Sequence, residues 1–147
     1  MATQQQNTEQ SRALALKFVQ VGTTRKIDLL ADMFDPDAMW TQVVDKAQAG
    51  FGGSRPAPEV FAEATAHFSG FDEFSFIAQH IVADGNHAFI DVAVHGKGPG
   101  PAEYNQNYAF SLTTSGSKIT DVKVWSDPFQ VMAWIEASQK YAKEQAA

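Results

Sequence analysis

Asp91 is the residue whose type and surroundings speak most directly for chemistry. It falls in an alternating run with Phe89 and Ala93, and a short turn brings Phe76 of the preceding run beside it. A carboxylate among such groups is poorly solvated. Poor solvation raises its pKa and suits it to general acid–base work. His80 lies diagonally across the same pair of runs, where it can hold or share the Asp91 proton. A structural Asp–His pair is the plain alternative. Gln106 and Tyr108 alternate along a later run and can hydrogen-bond a developing oxyanion. Trp40 and Gln42 alternate in the same way on an earlier one. With Phe76, Phe89 and Val124 they make a substrate-binding wall, and His67 reaches the rim of the pocket from a helix. The catalytic expectation is therefore Asp91 with His80. The substrate-binding expectation is Trp40, Gln42, His67, Phe76, Phe89, Gln106, Tyr108 and Val124. His80, Asp91 and His95 also have the ligand types of a two-histidine, one-carboxylate metal triad. Nothing in their spacing fixes such a set, so no metal and no cofactor is expected.

These side chains need elements to position them. Residues 1–7 are expected to be disordered and residues 8–147 to form one domain. Asn7 or Thr8 is the expected cap of a first helix that Gly22 stops. A short second helix starts at Thr24 and buries Ile27, Leu30, Ala31 and Phe34. Asp35-Pro36-Asp37 turns the chain into a strand from Ala38 to Val44. A Gly- and Pro-rich loop spans Asp45 to Ala57, and a third helix covers Pro58 to Ser69.

The period then changes to two. Phe74–Val82 and Asn86–His95 read as strands around Asp84-Gly85, a hairpin signal. That turn places Phe74, Phe76, Ala78 and His80 on one face with Phe89, Asp91, Ala93 and His95. The other face, with Ile77, Ile81, Ile90, Val92 and Val94, is also apolar, and a subunit interface is its simplest cover. Ala102–Thr113 and Ser117–Ser126 form a second hairpin, with Tyr104, Gln106, Tyr108 and Phe110 facing the same way as Val122 and Val124. Asp127 before Pro128 marks the start of a last helix. Helices first, then paired strands, then one helix make an α+β chain whose curved sheet wraps the helices around a central pocket.

Composition narrows the function classes. A net charge of −6 with no basic cluster argues against nucleic acid as a partner. The absence of cysteine removes disulfides, thiolate metal sites and cysteine nucleophiles. No run is long enough to span a membrane, and the polar stretch Met1–Gln10 lacks an apolar signal core, so a cytoplasmic location is expected. Gly50, Gly52 and Gly53 lack the strand–turn–helix context of a nucleotide loop, and no nucleophile elbow is present.

Met33–Trp40, Gly85–Asp91 and Tyr104–Phe129 together resemble the SnoaL-like branch of the superfamily that includes ketosteroid isomerase and the nuclear transport factor fold. The resemblance covers nearly all of the chain after residue 8. It implies an α+β cone with a strongly curved mixed or antiparallel sheet, a homodimer, and a pocket between helices and sheet. It also implies cofactor-free chemistry of the isomerase, aldol cyclase, dehydratase or epoxide hydrolase kind, or binding without catalysis. Tyr104–Phe129 is similar to the phenazine-biosynthesis A/B proteins. Trp40-Thr41-Gln42 with Asp91 is similar to limonene epoxide hydrolase. Asp91 matches that enzyme's first aspartate, but Phe89 stands at its arginine position and Val124 at its second acidic position. Trp40 and Gln42 replace its water-holding pair, and these departures count against epoxide hydrolysis. The expected function is a cofactor-independent acid–base enzyme of isomerase, cyclase or dehydratase type. Its substrate would be a hydrophobic oxygenated ring compound, such as a polyketide or terpenoid intermediate. The alternatives are a non-catalytic small-molecule or dimerisation module of the same fold, or an epoxide hydrolase-like enzyme.

Overall fold

Thr3 caps the first helix. Its hydroxyl accepts from the Gln6 amide at 3.1 Å while its own amide donates to the Gln6 side chain at 2.8 Å. This reciprocal capping box satisfies two amides that a helix start otherwise leaves free. The computed structural model describes residues 1–147. It starts helix α1 at Gln4 and carries it to Thr24. Residues 4–7 are therefore helical, which corrects the expectation of disorder over 1–7.

Gly22 does not stop α1. A Cβ there would sit 2.6 Å from the Phe76 ring, so glycine is what lets the helix lie this close to the sheet. The stop is Arg25, in the left-handed conformation at φ 58°. Its guanidinium donates to the Phe68 and Phe71 carbonyls at 3.0 and 2.9 Å, which offsets the strain of that backbone.

A 3₁₀ turn (Ile27–Met33) leads into β1 (Phe34–Gln42). The Gly- and Pro-rich segment is not all loop. It holds a one-turn helix, α2 (Lys46–Ala49), and a short strand, β2 (Gly53–Pro56). Then come α3 (Ala57–Ser69), β3 (Glu73–Asp84), β4 (His87–Lys97), β5 (Glu103–Ser115), β6 (Lys118–Trp125) and α4 (Pro128–Ala146). Asp127 caps α4 by accepting from the Phe129 amide at 2.9 Å.

The six strands form one sheet in the order β2-β1-β6-β5-β4-β3. Every neighbouring pair is antiparallel except β1 with β6. The sheet is mixed, and the chain is an α+β cone with its core between the sheet's inner face and the helices.

The β3–β4 hairpin departs from expectation in a way that matters. Its two-residue turn is Gly85-Asn86, so Asp84 pairs with His87 and Val82 with Phe89. A bulge between Ala78 and His80 then inserts one extra residue, Gln79. One extra residue reverses which face the rest of the strand presents. Phe76 and Ala78 therefore face inward with Val94 and Val92, while His80 and Val82 face outward with Asp91 and Phe89. Along β4 the inward set is Ala88, Ile90, Val92, Val94 and Gly96, all buried.

Candidate functional site

α3 supplies one wall of the site from a single stripe. Val60, Glu63, Ala64, His67 and Phe68 fall at the three- and four-residue spacing that puts side chains on one helix face. They look across a cavity of about 470 Å³ toward the inner faces of β1, β5 and β6. α1 contributes Phe18 and Val21 to the opposite side, and α4 contributes Val131 and Ile135. The lining is mainly apolar and aromatic. Trp40 lies among the rings of Phe18, Phe34, Phe61 and Phe110 at centroid distances of 6.1 to 6.4 Å. Its indole N–H is the one buried side-chain polar atom without a hydrogen-bond partner.

A short polar chain interrupts this apolar lining. The Tyr104 and Tyr108 hydroxyls are 2.6 Å apart, and the Gln106 amide donates to the Tyr104 hydroxyl at 3.3 Å. Gln106 is itself held at both ends by backbone. It donates to the Asp127 carbonyl at 2.8 Å and accepts from the Asp127 amide at 2.9 Å. Either hydroxyl can donate to the other, since the Tyr104 oxygen has a second lone pair beside the one Gln106 uses. When Tyr104 is the donor, the Tyr108 proton is left for the cavity. Burial raises the pKa of both phenols, Tyr108 well above the ordinary value, so both stay neutral donors.

His67 stands beside this pair. Its ring makes edge contacts with Trp134, Tyr104 and Phe71 at 4.7, 5.1 and 5.3 Å. Burial among them pushes its pKa down to about 4, so the imidazole is neutral at pH 7 and retains a free lone pair.

The charged lining residues are Lys46, Arg55 and Glu63. Arg55 stands directly across from Trp40 in the β1–β2 ladder. It grips Glu63 with both arms of its guanidinium, one at 2.7 Å. The Glu63 hydrogen bond raises the Arg55 pKa, and its converse lowers the Glu63 pKa, so both remain charged.

Trp40, Gln42, His67, Phe76, Tyr108 and Val124 thus line the cavity. Gln106 is buried behind the wall as a support. Asp91, His80 and Phe89 are corrections, because they lie on the outer face of the sheet. His80 Nδ1 and Asp91 Oδ2 do meet, at 3.1 Å, but the side chains are 75% and 38% exposed. Phe89 is 43% exposed. The bulge at Gln79 turned His80 outward, and β4 buried its aliphatic face in preference to the one carrying His87, Asp91, His95 and Lys97. No group of three or more His, Asp and Glu side chains is placed to hold a metal, so His80, Asp91 and His95 do not form one site.

Sequence reasoning missed Tyr104 as a partner of Tyr108, and it missed Glu63, Arg55, Lys46 and Ser126 as lining residues. Glu63 had a signal, four residues before His67 on the same helical face. Arg55 sits in an irregular segment where periodicity gives none.

A curved mixed sheet closed by helices around an apolar cavity defines a class of α+β cones, and sequence comparison places the chain within it. Residues 15–122 match the SnoaL-like domain, and the chain belongs to that family. Solved structures share the fold. A candidate SnoaL-like polyketide cyclase from Jannaschia sp. CCS1 aligns over 93% of this chain and 99% of its own, with 12% identity and a TM-score of 0.72. A phenazine biosynthesis-related protein from Pseudomonas aeruginosa aligns over 92% and 86%, with 15% identity and a TM-score of 0.71. An epoxide hydrolase from M. tuberculosis, similar to limonene epoxide hydrolase, aligns over 88% and 92%, with 14% identity and a TM-score of 0.67. No curated protein matches the chain by sequence. No helix is long and apolar enough to cross a membrane.

Proposed function

We propose that the cavity binds a hydrophobic ring compound bearing a carbonyl group and moves a proton at the carbon beside it, without a cofactor. The observation that carries this reading is the meeting of a neutral imidazole and a hydroxyl pair in one apolar cavity. Tyr108 donates its O–H to the carbonyl oxygen. His67 accepts a proton from the adjacent carbon, and the electron pair of that C–H bond moves onto the oxygen as the enolate forms. The phenol bond strengthens as negative charge grows, which is the condition for lowering a barrier. Proton return at another carbon gives isomerisation. Attack of the enolate carbon on a second carbonyl gives ring closure, and loss of a hydroxyl one carbon away gives dehydration. The cyclase, phenazine and hydrolase proteins that share the fold act as support for cofactor-free chemistry of this kind.

The test needs no knowledge of the natural substrate. Tetralone in deuterated water exchanges the hydrogens beside its carbonyl, and proton NMR follows the loss. The protein should speed this exchange, and His67→Ala should abolish the acceleration. Exchange at the wild-type rate in His67→Ala would rule out His67 as the base.

Binding without catalysis is the second reading. The only carboxylate among the lining residues, Glu63, is held by Arg55. Under that reading tetralone binds but its exchange is not accelerated.

A further inference from the structure

We infer that the natural ligand of this cavity is an anion: an apolar ring system carrying one acidic substituent, which lodges between Arg55 and Lys46. The inference rests on the reading of the cavity as a binding site and adds the chemical class of what enters it.

Charge around the cavity runs against charge on the chain. The whole protein carries a net charge of −6. The charged lining residues are two cations and one anion, Lys46, Arg55 and Glu63, which leaves one net positive charge at the opening. His67 adds none, because it is neutral at pH 7. Lys46 makes no ion pair with any carboxylate. The negative net charge of the chain repels an anion in general, whereas the local balance at this opening attracts one, and low-dielectric walls concentrate that attraction.

Arg55 has capacity that Glu63 does not use. A guanidinium carries five N–H donors. Glu63 accepts two, and the other three have no protein partner. Unpartnered guanidinium N–H groups bind a carboxylate, sulfonate or ionised enol more strongly than they bind a neutral oxygen.

The spacing gives a ruler. Glu63, which fixes the Arg55 fork, lies one helical turn before His67 on α3, about 6 Å away along the helix face. Arg55 also stands opposite Trp40 in the ladder, so the two side chains share the inner face of the sheet. A ligand with its acidic group on the Arg55 fork therefore extends its ring system over Trp40 toward His67 and Tyr108. The anionic substituent fixes which carbon lies beside the imidazole.

Two fluorescent probes with the same ring skeleton test this: anilinonaphthalene sulfonate, which is anionic, and phenylnaphthylamine, its uncharged counterpart. Titrated into the wild-type protein at low salt, the sulfonate should bind about tenfold tighter than the neutral amine. That preference should shrink to about threefold or less in Arg55→Gln, and also in Lys46→Gln, whose exposed position makes unfolding no explanation. Added salt should weaken the sulfonate and leave the amine unchanged. Equal binding of the two probes overturns the proposal and leaves the cavity reading intact. So does a preference that survives both substitutions. Failure of both probes to bind overturns the cavity reading, and this proposal with it.

Discussion

The hydroxyls of Tyr104 and Tyr108 lie 2.6 Å apart, and the Gln106 amide donates to the Tyr104 oxygen from behind the cavity wall. With Tyr104 donating to Tyr108, the Tyr108 proton is the one a ligand oxygen in the cavity accepts. Tyr108→Phe removes it. Tetralone exchange should fall roughly a hundredfold, the usual scale for losing one donor to a developing oxyanion. Tyr104→Phe should cost less, since Tyr108 keeps its proton. Equal rates for wild type and Tyr108→Phe would remove the phenol from the mechanism.

His67 titrates at about 4 in the folded chain and near 6.5 when unfolded, because burial penalises the imidazolium. Between those values the unfolded state binds the proton first. Stability from this group is complete above pH 6.5 and is lost as pH falls to about 4. The gap corresponds to at most roughly 3 kcal/mol. Urea midpoints measured from pH 7 to pH 4 should show this slope in the wild type and a flatter one in His67→Phe. The same titration sets the acid limb of the exchange rate near pH 4. A limb near 6.5 would mean that the imidazole is open to water.

Asp91 and His80 form an exposed pair on the outer face. Such pairs contribute at most about 1 kcal/mol. Asp91→Asn should leave probe affinity and exchange rate unchanged and lower stability by no more than that. Loss of binding with an unaltered melting curve would show that the outer face reaches the ligand.

The limits of the sequence are visible in that same pair. Alternation correctly put His80 and Asp91 on one face of their hairpin, and Tyr104, Gln106 and Tyr108 on one face of theirs with Val124, but it assigned both sets to the same pocket. The Asp127-Pro128 helix start was also legible, because capping is local chemistry. Linking Asp91 to Phe76 failed, because the bulge at Gln79 leaves no mark in composition or period. A clue was present in β4. Its even positions, Ala88, Ile90, Val92 and Val94, are uniformly apolar, while the odd ones include His87, Asp91 and His95. Burial favours the first set whatever β3 does. The Arg55–Glu63 fork was beyond reach, since it joins an irregular segment to a helix through side chains alone.

The outer face has its own consequence. Val82 pairs with Phe89 in one row, and Ile77 with Ala93 in another, with His80 and Asp91 between them. Ile77 and Val82 are each 60% exposed, and Trp125 is also exposed. We propose that a second copy of the chain covers this surface, since an isologous contact buries both sets at once. Sedimentation should report a dimer that Phe89→Glu converts to monomer without loss of helical circular dichroism. A wild-type monomer at tens of micromolar would end the idea.

Ala64 offers a way to separate the cavity from every other surface. It lies on the lining stripe of α3, between Glu63 and His67 in sequence, and is partly buried. Ala64→Phe puts a ring into a space of about 470 Å³. A space that size accepts it without the strain that overpacks a filled core. Helix propensity falls by about half a kcal/mol, and the buried ring returns more than that. Stability should therefore be unchanged or higher by about 1 kcal/mol, the scale of other cavity-filling changes. Probe binding and tetralone exchange should both be lost. Binding that persists at wild-type affinity in a well-folded Ala64→Phe would place the ligand somewhere other than between α3 and the sheet.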